Sequence, residues 1–387
     1  MSEDGVATTL YFGPWYRKSP YFEATQRYGC KAYDIYNHTY LPAYYDDPIA
    51  EYWHLLNHVT IWDVGVERQV EISGRDAFAF TALLTPRNLS TCQVGQCKYV
   101  VITDENGGII NDPILLRVDE DRFWLSTADS DVLLWAKGVA LDRGLDVTIV
   151  EPDVWPLQVQ GPRSKDVIEE LFGPEVTGLR YYFCAQTTLD GIPVVVSRTG
   201  WTGEVGYEIY LRDGSRGNEL WERVMEAGRP HDIKPIAPCE ARRVEAGIFN
   251  YRSDMTLENN PFEVTGLERL VDLDTDREFI GKQALRRIKA EGVKRKLVGI
   301  EIEGEPLPFE LAEAWPVRGN QGQIGQIGRV TDAIWSPRLE RNIGYAWVPI
   351  ELAEPGTELQ IETPEGAATA RVAILPFMDP KKRIPAS

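Results

Sequence analysis

The sequence is poor in the features that mark membrane, secreted and nucleic-acid-binding proteins. No apolar run approaches the roughly 20 residues that a membrane-spanning helix needs. The first residues contain no basic region followed by an apolar run, so we expect no signal peptide and a cytoplasmic protein. Positive charge is scarce as well, because 41 Lys and Arg stand against 59 Asp and Glu, a net charge of −18. We therefore expect neither a membrane nor a nucleic acid as partner, since phosphates bind basic surfaces.

Cysteine and histidine are also few, and their positions argue against the common metal and nucleophile motifs. The five cysteines are an odd number without metal-finger spacing, which is typical of reduced thiols. His54 and His58 are four residues apart on a predicted helix, a spacing that can bind a metal. Because no glutamate follows His54, packing or surface histidines are the better interpretation, and we assign no metal. The chain has no Gly-x-Ser-x-Gly elbow, so we expect no covalent catalysis.

The order of the predicted elements indicates an α+β fold that ends in a small barrel. Strands and helices alternate up to about residue 290 without regular parallel crossovers. The predicted helices cover residues 48–59, 77–84, 130–143, 164–172, 219–227, 239–249 and 279–289. Short strands with Gly-rich and Pro-rich turns follow, a pattern typical of an antiparallel barrel. We therefore predict an α+β domain of two subdomains over 1–290 and a β-barrel domain over 291–387.

A glycine-rich turn is the most distinctive segment of the chain. Gly200, Gly203 and Gly206 follow one another at a spacing of three, between two predicted strands. Glycine lets a backbone turn sharply and approach a ligand closely. A dinucleotide-binding loop would need a helix after its glycines, which this strand–turn–strand pattern excludes. With Trp201 inside the turn and Glu208 after it, the segment predicts a site for a flat, polar ring.

Two further segments are candidates for the same site, each with an ordinary alternative. Asp112 follows a predicted hairpin turn at the start of an apolar strand, where it could also be a solvated turn residue. Arg243 shares a helix face with Gly247 and could reach a carboxylate ligand. An ion pair on the helix surface is an equally open interpretation of Arg243.

Taken together, segments along most of the chain resemble the T-protein of the glycine cleavage system and its folate-dependent relatives. They are 61–64, 69–74, 107–112, 157–162, 199–208, 243–247, 280–282 and 343–345. The resemblance implies a cloverleaf of folate-binding α/β subdomains with a C-terminal antiparallel β-barrel, and tetrahydrofolate as co-substrate. Within the family, segments 17–22, 36–38, 111–113, 128–138 and 150–154 are similar to dimethylsulfoniopropionate demethylases.

The resemblance also implies roles for individual residues toward the folate. Glu208 matches the family glutamate that pairs with the amino and ring N–H donors of the pterin, for which a carboxylate is the suitable acceptor. Asp112 matches the aspartate beside the reacting pterin nitrogen, where it would orient the folate or help electrostatically. Tyr99 matches an aromatic residue against the folate, and Arg243 matches an arginine near it.

For the methyl donor, the resemblance points to aromatic residues around a soft cation. Trp201 is the first candidate for this catalytic and substrate-binding role, followed by Tyr36 and Tyr207, because aromatic faces attract cations by about 0.5–2 kcal/mol each. For Tyr207, ordinary core packing is an equally open interpretation. A sulfonium or quaternary ammonium carries an activated methyl group and needs no general acid, so the protein mainly aligns the donor with the folate nitrogen.

The resulting prediction is a tetrahydrofolate-dependent demethylase that transfers a methyl group from dimethylsulfoniopropionate or a related compound and yields 5-methyltetrahydrofolate. Alternatives are an O-demethylase of a methoxylated aromatic acid, which would need an acid such as Tyr36 or His38, and an N-demethylase of a betaine. An aminomethyltransferase of glycine cleavage, which would dock a lipoyl carrier protein, is a further alternative. The expected partners are small molecules, the methyl donor and folate, and a homodimer is an open possibility.

Overall fold

The computed structural model describes residues 11–308, 311–319 and 325–387, and it has the α+β architecture that the sequence predicts. Two mainly antiparallel sheets are followed by a closed antiparallel barrel, and two-stranded hairpins connect to them. The hairpins pair Ala32–Tyr36 with Thr39–Tyr44 and Ile102–Thr103 with Ile109–Asn111. Across the described part of the chain, no helix combines the length and apolar character that crossing a membrane requires.

Most helices lie where the sequence predicts them. They are Phe22–Arg27, Pro48–Asn57, Ala77–Leu84, Val132–Ala140, Ser164–Phe172, Pro174–Thr177, Gly217–Gly228, Glu240–Glu245, Lys282–Glu291 and Arg383–Ala386. Asp47 caps the second of these, because its carboxylate accepts hydrogen bonds from the backbone N–H groups of Ile49 and Ala50. The predicted helix over 239–249 extends too far. That helix ends at Glu245, and Gly247 turns the chain away with a φ of +68°.

The first sheet has five antiparallel strands covered by helices on one face. Their spatial order is Thr148–Val150, Arg68–Ser73, Arg122–Thr127, Ile114–Asp119 and Cys97–Tyr99. Phe123 and Leu125 pack against Phe80 and Ala136 of the covering helices, and these four side chains are fully buried. Strand alternation turns Trp124 and Ser126 to the opposite face.

The second sheet has six strands and its own helical cover. Their order is Cys184–Leu189, Ile192–Ser197, Gly206–Leu211, Trp155–Gln160, Val59–Asp63 and Ile233–Pro235, with the last pair parallel and the others antiparallel. Tyr207 and Ile209 pack with Ile168 and Trp221 from the helices. Glu208 and Tyr210 alternate with them and point to the other face.

The two sheets pack against each other through the faces that the helices leave uncovered. Trp124 from the first sheet lies with its ring centre 6.2 Å from that of Tyr210 in the second. The backbone N–H of Cys97 donates a 2.8 Å hydrogen bond to the backbone oxygen of Tyr182 across the same junction. Polar side chains on these inner faces therefore lie between the sheets.

The C-terminal barrel is closed by six strands, which confirms the predicted antiparallel barrel. Their order is Arg295–Ile302, Arg341–Pro349, Gln326–Ser336, Trp315–Arg318, Glu358–Thr363 and Gly366–Ala373. Its interior is filled by aliphatic side chains such as Ile300, Val330 and Ile361, each fully buried. The barrel contacts the preceding part of the chain at the helix Glu240–Glu245, where Ser336 donates a 2.5 Å hydrogen bond to Glu245. The domain boundary at residue 290 stays a prediction.

Candidate functional site

A cavity of about 690 Å³ lies where the two sheets, the strand Ala32–Tyr36, the helix Glu240–Glu245 and the barrel meet. It brings together residues that are far apart in the sequence. Six of the seven predicted site residues line it, namely Tyr36, Tyr99, Asp112, Trp201, Glu208 and Arg243. Tyr207 does not line it. The cavity is large enough for a drug-sized ligand, since such sites span about 300–1,000 Å³.

Glu208 lies on the inner face of the second sheet, held by its neighbours. Gln158 donates to its Oε1 at 2.7 Å, while Thr199 and Tyr210 both donate to its Oε2. Burial raises the pKa of Glu208, and these hydrogen bonds oppose that shift because they stabilise the ionised form. The carboxylate is therefore fixed in orientation before any ligand binds.

Tyr207, which we expected against the donor, belongs to the core of the second sheet. Its side chain is fully buried among Ile168, Ile209 and Trp221, and its hydroxyl donates to the backbone oxygen of Thr177 at 2.8 Å. Neighbouring residues of a strand point to opposite faces, so Tyr207 faces the helices while Glu208 faces the cavity. Tyr207 is therefore a core residue, which was our alternative interpretation, and it does not line the cavity where we expected the donor.

The glycine-rich turn encloses a side chain of the protein itself. Gln160 accepts a 2.8 Å hydrogen bond from Thr202 and donates to the backbone oxygen of Thr199 at 3.3 Å. A Cβ on Gly200 would lie 2.3 Å from Gln160 Oε1, and one on Gly206 would lie 2.4 Å from its Cδ. These two glycines are therefore needed for packing on Gln160, and the turn presents Trp201 to the cavity.

Trp201 packs between apolar residues and a cation. Its ring contacts the cluster formed by Tyr52, Trp62 and Leu55, and the guanidinium carbon of Arg243 lies 5.3 Å from its centre. This arrangement fixes the indole and leaves part of its surface on the cavity.

Arg243 is buried and forms several ion pairs. It donates to Glu240 and Asp332, to Asp254 at 3.2 Å and to the backbone oxygen of Ile248 at 3.1 Å. Burial would lower the pKa of Arg243, but the surrounding carboxylates raise it well above its ordinary value. Arg243 does form ion pairs, as one of our interpretations expected, but they are buried and not on the surface, because its side chain is only 3% exposed. Most of its N–H groups already have protein partners.

Carboxylates outnumber the cation in this cluster. Burial raises the pKa of Asp332 to about 8, with Asp254 and Glu240 acting in the same direction and Arg243 against it. Burial also raises the pKa of Asp254. Arg243 thus pairs with more than one acidic side chain, and the raised pKa of Asp332 lets this cluster hold a proton at neutral pH.

Asp112 lies in the cavity wall with Tyr99 as its partner. The Tyr99 hydroxyl donates to Asp112 Oδ2 at 2.8 Å. Burial raises the pKa of Asp112 to about 7, although the hydrogen bond from Tyr99 lowers it. A carboxyl group that titrates near neutral pH can accept or release a proton during a reaction.

Tyr36 contributes its hydroxyl group to the wall of the cavity. It donates to Asn250 Oδ1 at 3.1 Å or to the backbone oxygen of Tyr251 at 3.2 Å. Burial raises the pKa of Tyr36, and Asp112 and Asp129 add to this shift. The hydroxyl stays protonated at neutral pH and its hydrogen atom has partners within the protein.

Several cavity residues were not predicted from the sequence. Glu67 lines the cavity from the first sheet, and the neighbouring Tyr181 and Tyr182 line it from the loop before the second sheet. The adjacent tyrosines form an aromatic pair that could have been noticed in the sequence. Tyr182 has a φ of +64°, which is uncommon for a residue other than glycine and frequent at functional sites.

The histidine pair that we considered for a metal lies outside this cavity. The rings of His54 and His58 stack with centres 4.7 Å apart, and His54 Nε2 lies 2.7 Å from the backbone oxygen of Asp232. The Asp232 carboxylate is 3.9 Å from His58 Nδ1. Burial lowers the pKa of His54. Our assignment of no metal stays a prediction.

Comparison with known proteins supports the fold. The model of the GCVT N-terminal domain matches residues 21–275, and that of the glycine cleavage T-protein C-terminal barrel domain matches residues 295–379. Among solved structures, glycine cleavage system aminomethyltransferase T from Bartonella henselae has the same fold, with a TM-score of 0.84. It is 22% identical and covers 94% of this chain and 98% of its own.

Curated relatives align with this chain over nearly their whole length. Dimethylsulfoniopropionate demethylase of Ruegeria pomeroyi is 38% identical over 350 residues, which are 90% of this chain and 94% of the relative. An aminomethyltransferase of Thermoanaerobacter sp. strain X514 is 30% identical over 351 residues, 89% of this chain and 93% of the relative. The class defined by the fold is thus that of one-carbon transferases that use tetrahydrofolate as a substrate. The chain belongs to the glycine cleavage T-protein family, as its motifs predict.

Proposed function

We propose that the chain is a demethylase that transfers a methyl group from dimethylsulfoniopropionate, or a related methylated cation, to N5 of tetrahydrofolate. The observation that carries this proposal is the shared cavity of Glu208, Asp112 and Trp201. It combines an oriented acceptor for the pterin, a carboxyl group that titrates near neutral pH and an aromatic wall that can contact a cation. The similarity to the Ruegeria demethylase supports the choice of donor.

The proposed step is an in-line displacement at the methyl carbon. The lone pair of N5 forms the new N–C bond as the C–S bond breaks, and the sulfur leaves as a neutral sulfide with the bonding electron pair. The positive charge moves to N5, which then loses its proton. Asp112 would receive that proton, since its pKa of about 7 suits transfer near neutral pH. The protein otherwise contributes alignment, which can supply about 7–11 kcal/mol of the barrier.

The donor end of the cavity supports a cationic rather than an ether substrate. An aryl methyl ether needs an acid to protonate its leaving oxygen, whereas a sulfonium does not. The Tyr36 hydroxyl already donates within the protein, to Asn250 or Tyr251. The ring of Trp201, which lines the same cavity, suits a donor that carries a positive charge.

Cationic side chains in the same cavity suit the negative groups of both substrates. Lys98, Arg269 and Lys382 line it, and the Lys382 ammonium donates to the backbone oxygen of Ala246 at 2.7 Å. Burial lowers the pKa of Lys382 to about 8, with Arg269 and Arg242 adding to the shift. The carboxylates of the folate glutamate or of the donor would stabilise the charged form of this group.

The deciding experiment is a donor screen with a methyl-labelled substrate. Purified protein and tetrahydrofolate are mixed separately with trideuteromethyl forms of dimethylsulfoniopropionate, a betaine and an aryl methyl ether, and 5-methyltetrahydrofolate is measured by mass spectrometry. Labelled product from the sulfonium is expected. Label from the ether alone would overturn a cationic donor, and label from the betaine alone would show that the donor is a quaternary ammonium and not the sulfonium. If no methyl donor gives 5-methyltetrahydrofolate, but a lipoyl carrier protein bearing an aminomethyl group gives 5,10-methylenetetrahydrofolate and ammonia, the chain is an aminomethyltransferase.

A further inference from the structure

Glu67 is a cavity carboxyl group that the proposed transfer step does not use. It directly precedes the strand Arg68–Ser73 of the first sheet and lines the cavity. Its Oε2 accepts a 2.9 Å hydrogen bond from the Ser126 hydroxyl, which in turn accepts one from Gln69 Nε2 at 2.8 Å. Glu67 is thus oriented by its own sheet toward the space in front of the second sheet.

Glu67 and Glu208 face each other from the two sheets with unequal hydrogen-bond support. Glu208 accepts from Gln158, Thr199 and Tyr210, whereas Ser126 is the donor that reaches Glu67 among the described residues. Hydrogen bonds of this kind stabilise an ionised carboxylate, and two like charges in a buried site disfavour each other. Of these two carboxyl groups, Glu67 is therefore the one that holds a proton more readily.

The electrostatics of the surroundings agree with this assignment. Burial raises the pKa of Glu67 to about 8, and the charge of Glu208 adds to the shift. The titratable groups that face Glu67 are Glu208 and Tyr210 from the second sheet and Tyr36 from the hairpin. Each of these is acidic, so none of them supplies a positive charge that would favour ionised Glu67.

A neutral acid beside an ionised carboxylate complements the edge of a pterin. The N3–H and 2-amino donors of the pterin are flanked by acceptors on both sides, O4 and N1. A carboxylate suits the donors, and a protonated carboxyl group can donate to a flanking acceptor. Glu208 already accepts three hydrogen bonds from the protein, which limits how much of the edge it can bind alone.

We propose that Glu67 is a second pterin-binding residue, which acts as a carboxylic acid and donates a hydrogen bond to a pterin acceptor next to the edge bound by Glu208. This inference rests on the proposed folate-dependent function. It makes folate binding depend on a proton held by the protein. Affinity should be constant below the pKa of Glu67 and fall as the pH rises above about 8, by up to about tenfold per pH unit for one proton.

The test is equilibrium binding of 5-methyltetrahydrofolate between pH 6.5 and 9.5, followed by quenching of tryptophan fluorescence. Glu67→Gln keeps a neutral donor, so we expect affinity near that of the wild type at pH 7 and a flatter profile above pH 8. Glu67→Ala removes the donor and should weaken binding about five- to tenfold at pH 7. Glu71→Gln, on the strand that Glu67 precedes but outside the cavity lining, is the matched control and should follow the wild type.

The variants also separate this inference from the proposed function. Titration of the pterin itself is common to all variants and cancels when their profiles are compared. If Glu67→Gln loses affinity with pH in parallel with the wild type, or if Glu67→Ala binds as tightly as the wild type at pH 7, the role of Glu67 is overturned while folate binding stands. If the folded wild-type protein binds no 5-methyltetrahydrofolate at any pH, the proposed function itself fails.

Discussion

Arg243 joins Trp201 to a set of buried acids: its guanidinium carbon lies 5.3 Å from the centre of the indole ring while its nitrogens donate to Glu240, Asp254 and Asp332. The two residues come from the glycine-rich turn and from the helix Glu240–Glu245, and Asp332 comes from the barrel. The wall of the proposed donor region is therefore assembled from three separate parts of the chain. Its position depends on their mutual packing.

Replacing Trp201 by Leu should weaken binding of a cationic donor without removing the apolar contact to its neighbours. One lost aromatic face corresponds to about 0.5–2 kcal/mol, or roughly a 2- to 30-fold rise in the KM for the sulfonium. The KM for tetrahydrofolate should change little. Steady-state kinetics with each substrate varied in turn provide the measurement. Trp53→Leu, a tryptophan that is 41% exposed and outside the cavity lining, is the control. An unchanged donor KM in a folded Trp201→Leu protein would contradict this role.

The adjacent residues Tyr207 and Glu208 should respond in opposite ways to removal of one polar group. Tyr207→Phe loses a hydrogen bond in the core, so the free energy of unfolding should fall by about 1 kcal/mol while folate affinity stays constant. Glu208→Gln removes a charged acceptor facing the cavity and should lower folate affinity by about 10- to 100-fold. Urea unfolding and folate titration of both variants check this. A large loss of folate affinity in Tyr207→Phe would show that the core assignment is wrong.

Asp332 should make the protein less stable as the pH rises. Its pKa is raised from an ordinary value of 3.8 to about 8 by burial, so between these values the folded state binds a proton that the unfolded state has released. The stabilisation is complete below about pH 4 and is lost as the pH rises through about 8. Asp332→Asn should therefore lose less stability than the wild type between pH 5 and 9 in urea unfolding. Glu365→Gln, at an exposed turn of the barrel, should follow the wild-type profile. Equal slopes in Asp332→Asn and the wild type would contradict this prediction.

Removing the cation of the same cluster should have a much larger effect than removing one acid. Arg243→Met leaves Glu240, Asp254 and Asp332 without their shared partner. An uncompensated buried charge costs about 3–5 kcal/mol, so we expect a loss of that size in the free energy of unfolding at pH 7. The loss should shrink at pH 5, where the acids take up protons more readily. A pH-independent loss would indicate that packing of the side chain, and not its charge, is what matters.

Local sequence patterns predict most of the helices and strands and several residues of the site, but they mislead where the direction of a side chain matters. Glu208 and Asp112 stand in distinctive segments, and both line the cavity. The aromatic side chain of Tyr207 suggests a place beside the donor, although strand alternation implies that it points away from Glu208. The period of two was therefore available in the sequence and would have corrected the assignment.

Other features depend on contacts that no local pattern contains. Glu67 and Glu208 are 141 positions apart in the sequence. They face each other only because the two sheets pack through the faces that the helices leave uncovered. Two partners of Arg243, Asp254 and Asp332, come from the loop that follows its helix and from the barrel, and no local pattern predicts them. Only Glu240, on the same helix, is the kind of partner that the sequence suggests. Burial, which sets the pKa values of Glu67 and Asp332, is likewise a property of the folded chain.

Asp112 should control the pH dependence of methyl transfer if it receives the proton from N5. Its pKa of about 7 means that the ionised form, which can accept a proton, becomes dominant as the pH rises through neutrality. The single-turnover rate of the wild type should therefore increase from pH 6 to 8 and then level off. Asp112→Asn keeps the hydrogen bond with Tyr99 but removes the base, so we expect a rate lower by about 10²–10⁴-fold and independent of pH in this range. Asp119→Asn, at the exposed end of the strand Ile114–Asp119, should behave as the wild type. A slow variant that keeps the wild-type pH profile would assign Asp112 to orientation of the folate and not to proton transfer.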